Sequence, residues 1–299
     1  MKFVTPQTIH LAGMAVENTA DFLAALGAPE NWDTDAPSDA EKLIELAGRL
    51  CYKSFGTDLN PNVTRVREGN ASYMAGILTS KHGSVLEHAH DTFAFINVSR
   101  VFTHELVRHR PNNFSQESLR FVRLDKLKMF YPSVFKRDFL LDVYDALDGD
   151  AKDKIGQQHT YYRITNPDLI REKWADTTAA VLLQTFIETA ERLEETQLAL
   201  ARLLQLDHIT NFGVKKKLTS AMRRLAPEGL GTDIICTGNH RAWRHQIEVR
   251  TSAHAEEEIR IVFADVYNQL SGRYPNVYQD ARVETIDGLP QITFENSRV

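Results

Sequence analysis

Residues 104–122 read HELVRHRPNNFSQESLRFV, a run in which three arginines stand among histidine and short hydrogen-bonding side chains. An apolar-periodic segment leads into Arg108, His109 and Arg110, and Pro111 follows at once. Proline cannot continue a helix, so the basic triplet is expected where a helix stops, and cations there complement the helix dipole. Ser115, Gln116, Glu117, Ser118 and Arg120 come next, a polar set suited to lining a groove rather than a core. Guanidinium groups bind phosphate with two parallel prongs, while Ser and Gln read polar edges of a base or ribose. The stretch therefore points to a nucleotide site on a fold that mixes helix and strand.

Immediately upstream, residues 92–98 are aromatic and β-branched and read as a strand that feeds the helix carrying Glu105 to Arg110. Further back, Ser38 and Glu41 have capping-box spacing. The helix after them has Leu43, Ile44, Ala47, Leu50 and Cys51 at helical intervals, so Cys51 is expected to face the core. Asn70 is placed as the cap of a second helix through Lys81, ended by Gly83. Residues 3–16 read as extended, followed by an acidic loop up to Ser38. Downstream, residues 126–176 read as a peripheral insertion of loops and short helices, centred on 135–175. Residues 176–206 form a long helix rich in Ala, Leu, Glu and Gln. A basic helix that opens at Lys215–Lys217 is expected to run through Arg223, Arg224 and Leu225 until Pro227 ends it, and residues 232–237 read as a short buried strand. Asn239 then opens the helix NHRAWRHQIEVRTSAH. A last helix over 256–270 precedes a tail read as irregular.

The Asn239 helix offers polar groups in two directions. At about 100° per residue, Arg241 and His245 share a face and Arg250 lies roughly opposite Arg241. Trp243 and Ile247 occupy the surface between. The strand-to-helix entry at Gly238-Asn239 is a suitable place for a ligand to meet backbone. Arg223, just before Pro227, is a second phosphate candidate, whereas the run Lys215–Lys217 reads as a solvated helix start.

The 299 residues, 42% hydrophobic and 25% charged, form an ordinary globular composition. The formal net charge of -5 argues against a general nucleic-acid binder, and no stable nucleic-acid partner is expected. Two separated cysteines supply neither a disulfide framework nor a thiolate metal site. The opening MKFVTPQTIHLAG lacks a sustained apolar run with a cleavage signal, and no stretch is apolar enough to span a bilayer, so a cytoplasmic location is expected. His104-Glu105 with His109 fails the zincin spacing, because a gap of five turns the second imidazole about 140° away. His82, His88 and His90 have no metal-ligand spacing either, and no metal is expected. No nucleophile elbow surrounds Ser115 or Ser118, and neither a dinucleotide fingerprint nor a P-loop is present. On these residues alone, an enzyme and a phosphate-binding regulatory protein both remain open.

Three separated pieces resemble the flavin-dependent thymidylate synthases: RHR-x7-S as Arg108, His109, Arg110 and Ser118; HGSVLEH at residues 82–88; and TGNHRAWRHQIEVR at residues 237–250. With the RRLAP segment, they relate residues 40–125 and 215–270 to that family. The resemblance implies one mixed α/β domain over 1–299, with a central sheet flanked by long helices, assembling as a homotetramer whose active sites several subunits share. It implies an FAD- and NADPH-dependent methyltransferase that converts dUMP to dTMP with methylenetetrahydrofolate as carbon donor. By position, Ser84, Arg108, His109, Arg110, Gln116, Asn239, His240, Arg241 and His245 match FAD contacts. Glu105, Leu106, Val107 and Arg108 match dUMP contacts, as do Gln116, Glu117, Ser118, Leu119 and Arg120, with Arg223 and the catalytic Arg250. Gln116 stands where many relatives have Glu, His245 where some have Asn, and Glu117 where an apolar residue is common.

Overall fold

The computed structural model describes residues 1–29, 32–119, 126–161 and 165–297, without the side chains at 159–161. In chain order the elements are β1 (Lys2–Phe3), β2 (Gln7–Ala12), α1 (Thr19–Leu26), α2 (Asp39–Tyr52), α3 (Asn70–Thr79), β3 (His90–Ser99), α4 (Arg100–Leu106) and β4 (Asn113–Gln116). They continue as β5 (Lys128–Met129), α5 (Arg137–Ala146), α6 (Gly149–Tyr161), α7 (Pro167–Leu203), α8 (Phe212–Met222), β6 (Gly231–Asn239), α9 (His240–Arg250), α10 (Glu257–Arg273), β7 (Ala281–Ile286) and β8 (Leu289–Phe294). The architecture is mixed α/β. It divides into two compact units, one of residues 1–5 with 117–232 and one of residues 6–116 with 233–299.

The second unit contains a four-stranded sheet in the order β2-β3-β6-β4. β2 runs antiparallel to β3, and β4 antiparallel to β6 with Phe114 opposite Cys236. The strand expected over 92–98 is β3, extended by two residues at its start and one at its end. Phe93, Phe95, Phe102, Trp243 and Phe263 are fully buried around this sheet. Trp243 and Ile247, on one face of α9, are part of that core, which leaves the other faces of the helix to polar residues.

Several local expectations are met. Ser38 accepts from the Glu41 amide and donates to its carboxylate, closing the capping box at α2. Asn239 accepts from the Ala242 amide at the start of α9. Others are corrected. Cys51 is exposed rather than buried, because the last turn of α2 runs past the core and borders a cavity. Asn70 does not cap α3: Gly69, at φ 77°, takes that place, and the Asn70 side chain is buried against Glu45 at 2.7 Å. The first amide of that helix is satisfied instead by the distant Asp35 carboxylate. α3 ends at Thr79, and Gly83 opens a 3-10 turn, Gly83–Glu87. The loop before Ser38 contains α1. The helix expected to carry Glu105 to Arg110 stops at Leu106, and the Asn239 helix stops at Arg250.

The tail read as irregular is a hairpin, β7 with β8. Its turn is Asp287-Gly288, both at positive φ, the pairing that tight hairpin turns favour. In the first unit, α5 and α6 occupy the stretch read as a peripheral insertion. α7 begins at Pro167, well before Asp176, with the Asn166 side chain accepting from the Asp168 and Leu169 amides. Asn166-Pro167, which reads as a loop signal, is thus a helix start with proline in its first turn.

Candidate active site

Ser99 ends β3 and caps α4, its hydroxyl accepting from the Phe102 amide at 3.0 Å. The Glu258 carboxylate of α10 holds Ser99 in turn through its backbone amide and hydroxyl. Burial pushes the Glu258 carboxyl up to about 7, against the lowering effect of those Ser99 bonds. α4 therefore leaves the sheet at a set angle, and its C-terminus delivers Glu105 and the triplet Arg108, His109 and Arg110. The chain after the triplet is pinned by Asn112, which is buried and exchanges hydrogen bonds with Gln246 of α9 at 2.8 and 3.2 Å. Asn112 also donates to the buried Cys236 sulfur at 3.2 Å. At Gly238 an added Cβ would lie 2.6 Å from Asn112 Oδ1, so glycine is required there for close approach.

That registration brings the far end of α9 against the triplet. Arg250 Nε donates to His109 Nε2 at 2.8 Å, Nη1 to the Glu105 carboxylate at 2.5 Å, and Nη2 to the Glu105 carbonyl at 3.0 Å. Burial, the adjacent Arg250 cation and His245 together lower the His109 imidazole to about 4. His109 is therefore neutral near pH 7 and accepts through Nε2. His109 and His245 rings lie 6.3 Å apart, nearly edge to face. Arg250 is half-buried, so its pairing with Glu105 is stronger than a surface contact and still reachable by ligand. A guanidinium has five N–H groups. Among the described residues three are engaged, leaving two to meet an acceptor.

A cavity of about 350 Å³ lies where the ends of α2 and α3 meet the turn Gly83–Glu87 and the start of α9. Cys51, Tyr52, Lys81, His82, Ser84 and Arg241 are among its lining residues. Tyr52 and His82 stack at 5.8 Å, and Arg241 pairs with Glu87 at 2.5 Å. A hydroxyl, two cations and a flat ring pair suit a ligand that carries both a phosphate and an aromatic ring. Arg241 and His245 are both exposed on one side of α9, as the helical spacing predicts.

Not every residue matched by position presents its side chain. Leu106 is fully buried in the core of the second unit, and Leu119 is buried with Leu127, Met129 and Leu230 in the first. His240 is fully buried, with Nδ1 at 3.1 Å from Tyr278 Oη and Nε2 facing Asp91 at 3.1 Å, off the alignment of a formed hydrogen bond. The side chains of all three are turned into the interior. Val107, Arg108 and Arg110 are exposed. Gln116 donates to the Thr103 hydroxyl at 3.1 Å. In the first unit, Glu117 accepts from Thr232 at 3.4 Å, Ser118 is half-buried and Arg223 is exposed at the end of α8. Arg120 lies outside the described residues.

By spacing His82 reads as an ordinary histidine and nothing local singles out Tyr52 or Lys81, yet all three line the cavity. HGSVLEH was the available signal, since its histidine opens the turn that carries Ser84. The pairing of Glu105 with Arg250 spans 145 residues and left no local signal.

The UMP/dUMP methylase PolB from Streptomyces cacaoi, solved with 5-Br dUMP, superposes with a TM-score of 0.53 over 93% of this chain and 96% of that one, at 16% identity. Residues 34–276 match the family described as thymidylate synthase complementing protein, and the chain belongs to that family. The flavin-dependent thymidylate synthase of Corynebacterium efficiens is 33% identical over 265 residues, 88% of each chain. The one from Mycobacterium avium is 32% identical over 277 residues, 91% of each.

Proposed function

We propose that the chain is a flavin-dependent thymidylate synthase that reductively methylates dUMP to dTMP, with methylenetetrahydrofolate donating the carbon and NADPH the electrons. The observation that carries this reading is Arg250, held by neutral His109 and Glu105 with two N–H groups to spare. A fixed cation beside the uracil stabilises the ring with N3 ionised and so makes its C5 a better nucleophile. Arg223 and Arg120 hold the nucleotide phosphate in this reading, with Ser118 orienting the nucleotide. Glu105, Val107, Arg108, Gln116 and Glu117 complete its surroundings, and Leu106 and Leu119 support them from the interior.

Bound FAD would supply, as hydride taken from NADPH, the two electrons that reduce the transferred methylene carbon to the methyl group of dTMP. Ser84, Arg108, His109, Arg110, Gln116, Asn239, Arg241 and His245 are the residues that would hold it. His240 serves instead by securing the first turn of α9. The enzyme works in the cytoplasm as a homotetramer whose active sites several subunits share.

The test is the visible spectrum of the protein with added FAD, followed anaerobically after NADPH and then dUMP with methylenetetrahydrofolate. Bands that bleach with NADPH and return only with both substrates, with dTMP formed, are expected. Arg250→Ala should keep the flavin and lose the dUMP-dependent return; unchanged turnover would remove Arg250 from the chemistry. Failure of the protein to take up flavin would sink the reading as a whole.

A further inference from the structure

The chain between α2 and α3 borders a second cavity of about 400 Å³. Tyr52, Ile77 and His82 line both this space and the one containing Ser84 and Arg241, so the two adjoin. Its cationic lining consists of Arg49, Arg65 and Arg67, with no carboxylate among the lining residues. Arg49 is already engaged: it is buried, pairs with Glu45 at 2.7 Å, and donates to the Ser54 and Arg67 carbonyls at 2.9 and 2.8 Å. Those bonds anchor the segment by its backbone and leave its other arginines to do something else.

Arg65 and Arg67 are exposed, and neither guanidinium has a hydrogen-bond or ion-pair partner among the described residues. The Arg67 guanidinium lies over Gly76 of α3, in space that any side chain at position 76 would occupy. The acidic residues Asp33, Asp35 and Glu68 border a different depression, which Arg67 also touches. Unpaired guanidiniums at a concave surface with the hydroxyls of Thr64 and Ser80 present are suited to oxyanions, because their planar forks match carboxylate and phosphate and stay charged at every working pH.

We propose that this cavity is an oxyanion subsite for the trailing end of an elongated co-substrate whose reactive ring meets the flavin held at the adjoining Ser84–Arg241 cavity. The identity of the co-substrate rests on the synthase reading. A reduced folate ends in glutamate carboxylates and NADPH carries phosphates, and the oxyanion is the chemistry they share.

The holoenzyme and its Arg65→Ala, Arg67→Ala and Arg65→Lys variants would be compared for KM and kcat with methylenetetrahydrofolate as mono- and triglutamate, and with NADPH against NADH. Loss of a charge-assisted hydrogen bond should raise the relevant KM about ten-fold and spare kcat, with Arg65→Lys retaining part of the effect. A rise confined to the triglutamate assigns the subsite to the folate tail; a rise for NADPH but not NADH assigns it to the phosphate. Unchanged KM in both arms overturns the proposal. Arg65, on the open segment, keeps the test decisive if Arg67→Ala disturbs the packing on α3. Were the wild-type chain to form no dTMP, the synthase reading would fall separately. Calorimetric binding of pteroyltriglutamate and NADPH would then decide the subsite, with equal affinity in wild type and Arg65→Ala overturning it.

Discussion

At the scale of single residues, His109 shows how one neighbour sets a protonation state. An imidazole between two arginines in sequence is readable from the RHR triplet, but its contact with Arg250 comes from the opposite end of α9. Because its folded pKa, about 4, lies below the usual 6.5, the unfolded chain binds that proton more readily. Its contribution to stability is thus complete above about pH 6.5 and is lost as pH falls through 4. The His109 ring should show neutral imidazole shifts by NMR throughout pH 5–8, and His109→Gln should make the fall of Tm between pH 6.5 and 4 shallower. A ring that titrates between pH 6 and 7 would contradict the placement. Cys236 lies at the other extreme, with burial pushing its thiol up to about 12 despite the Asn112 bond.

At the scale of elements, what could be read from the chain was whatever is settled within one turn. The caps at Ser38 and Asn239 are local hydrogen bonds, and both form as their spacing predicts. Asn70 also has the composition of a cap, yet a tertiary partner, Glu45, takes its amide. Asp287-Gly288 has the residues of a tight hairpin turn, and β7 and β8 pair across it. Asn239→Ala should destabilise the protein by about 1 kcal/mol in urea unfolding, with Asn239→Ser close to wild type. An Ala variant as stable as wild type would show that packing of Trp243 and Ile247 alone holds the start of α9.

At the scale of the molecule, the second unit is drawn together around a buried charge. Asp91 of β3 accepts from Tyr274 at 2.7 Å and meets His10 of β2 at 2.5 Å, with His240 of α9 opposite its other oxygen. Burial alone would raise the Asp91 carboxyl, but His240, His10 and Tyr274 outweigh it and hold it below the usual range. Asp91→Ala should cost roughly 3–5 kcal/mol, seen as a large drop in Tm, because it strands polar groups from three other segments at once. A loss under 1 kcal/mol would mean the cluster is wet and weakly coupled. Among the described residues, no helix is long and apolar enough to cross a membrane.

The sequence by itself determined the strand-to-helix passages at both halves of the site, the helix ends that present Arg108 to Arg110, and the opposed polar faces of α9. Hydrogen bonds and periodicities that close within a few residues leave their mark on local order. Tertiary structure alone decided that Arg250 reaches Glu105 and His109, that His240 is buried and Cys51 is not, and that Tyr52 and His82 border one cavity. Those outcomes depend on which segments far apart in the chain come to share the same volume, and no local pattern encodes that.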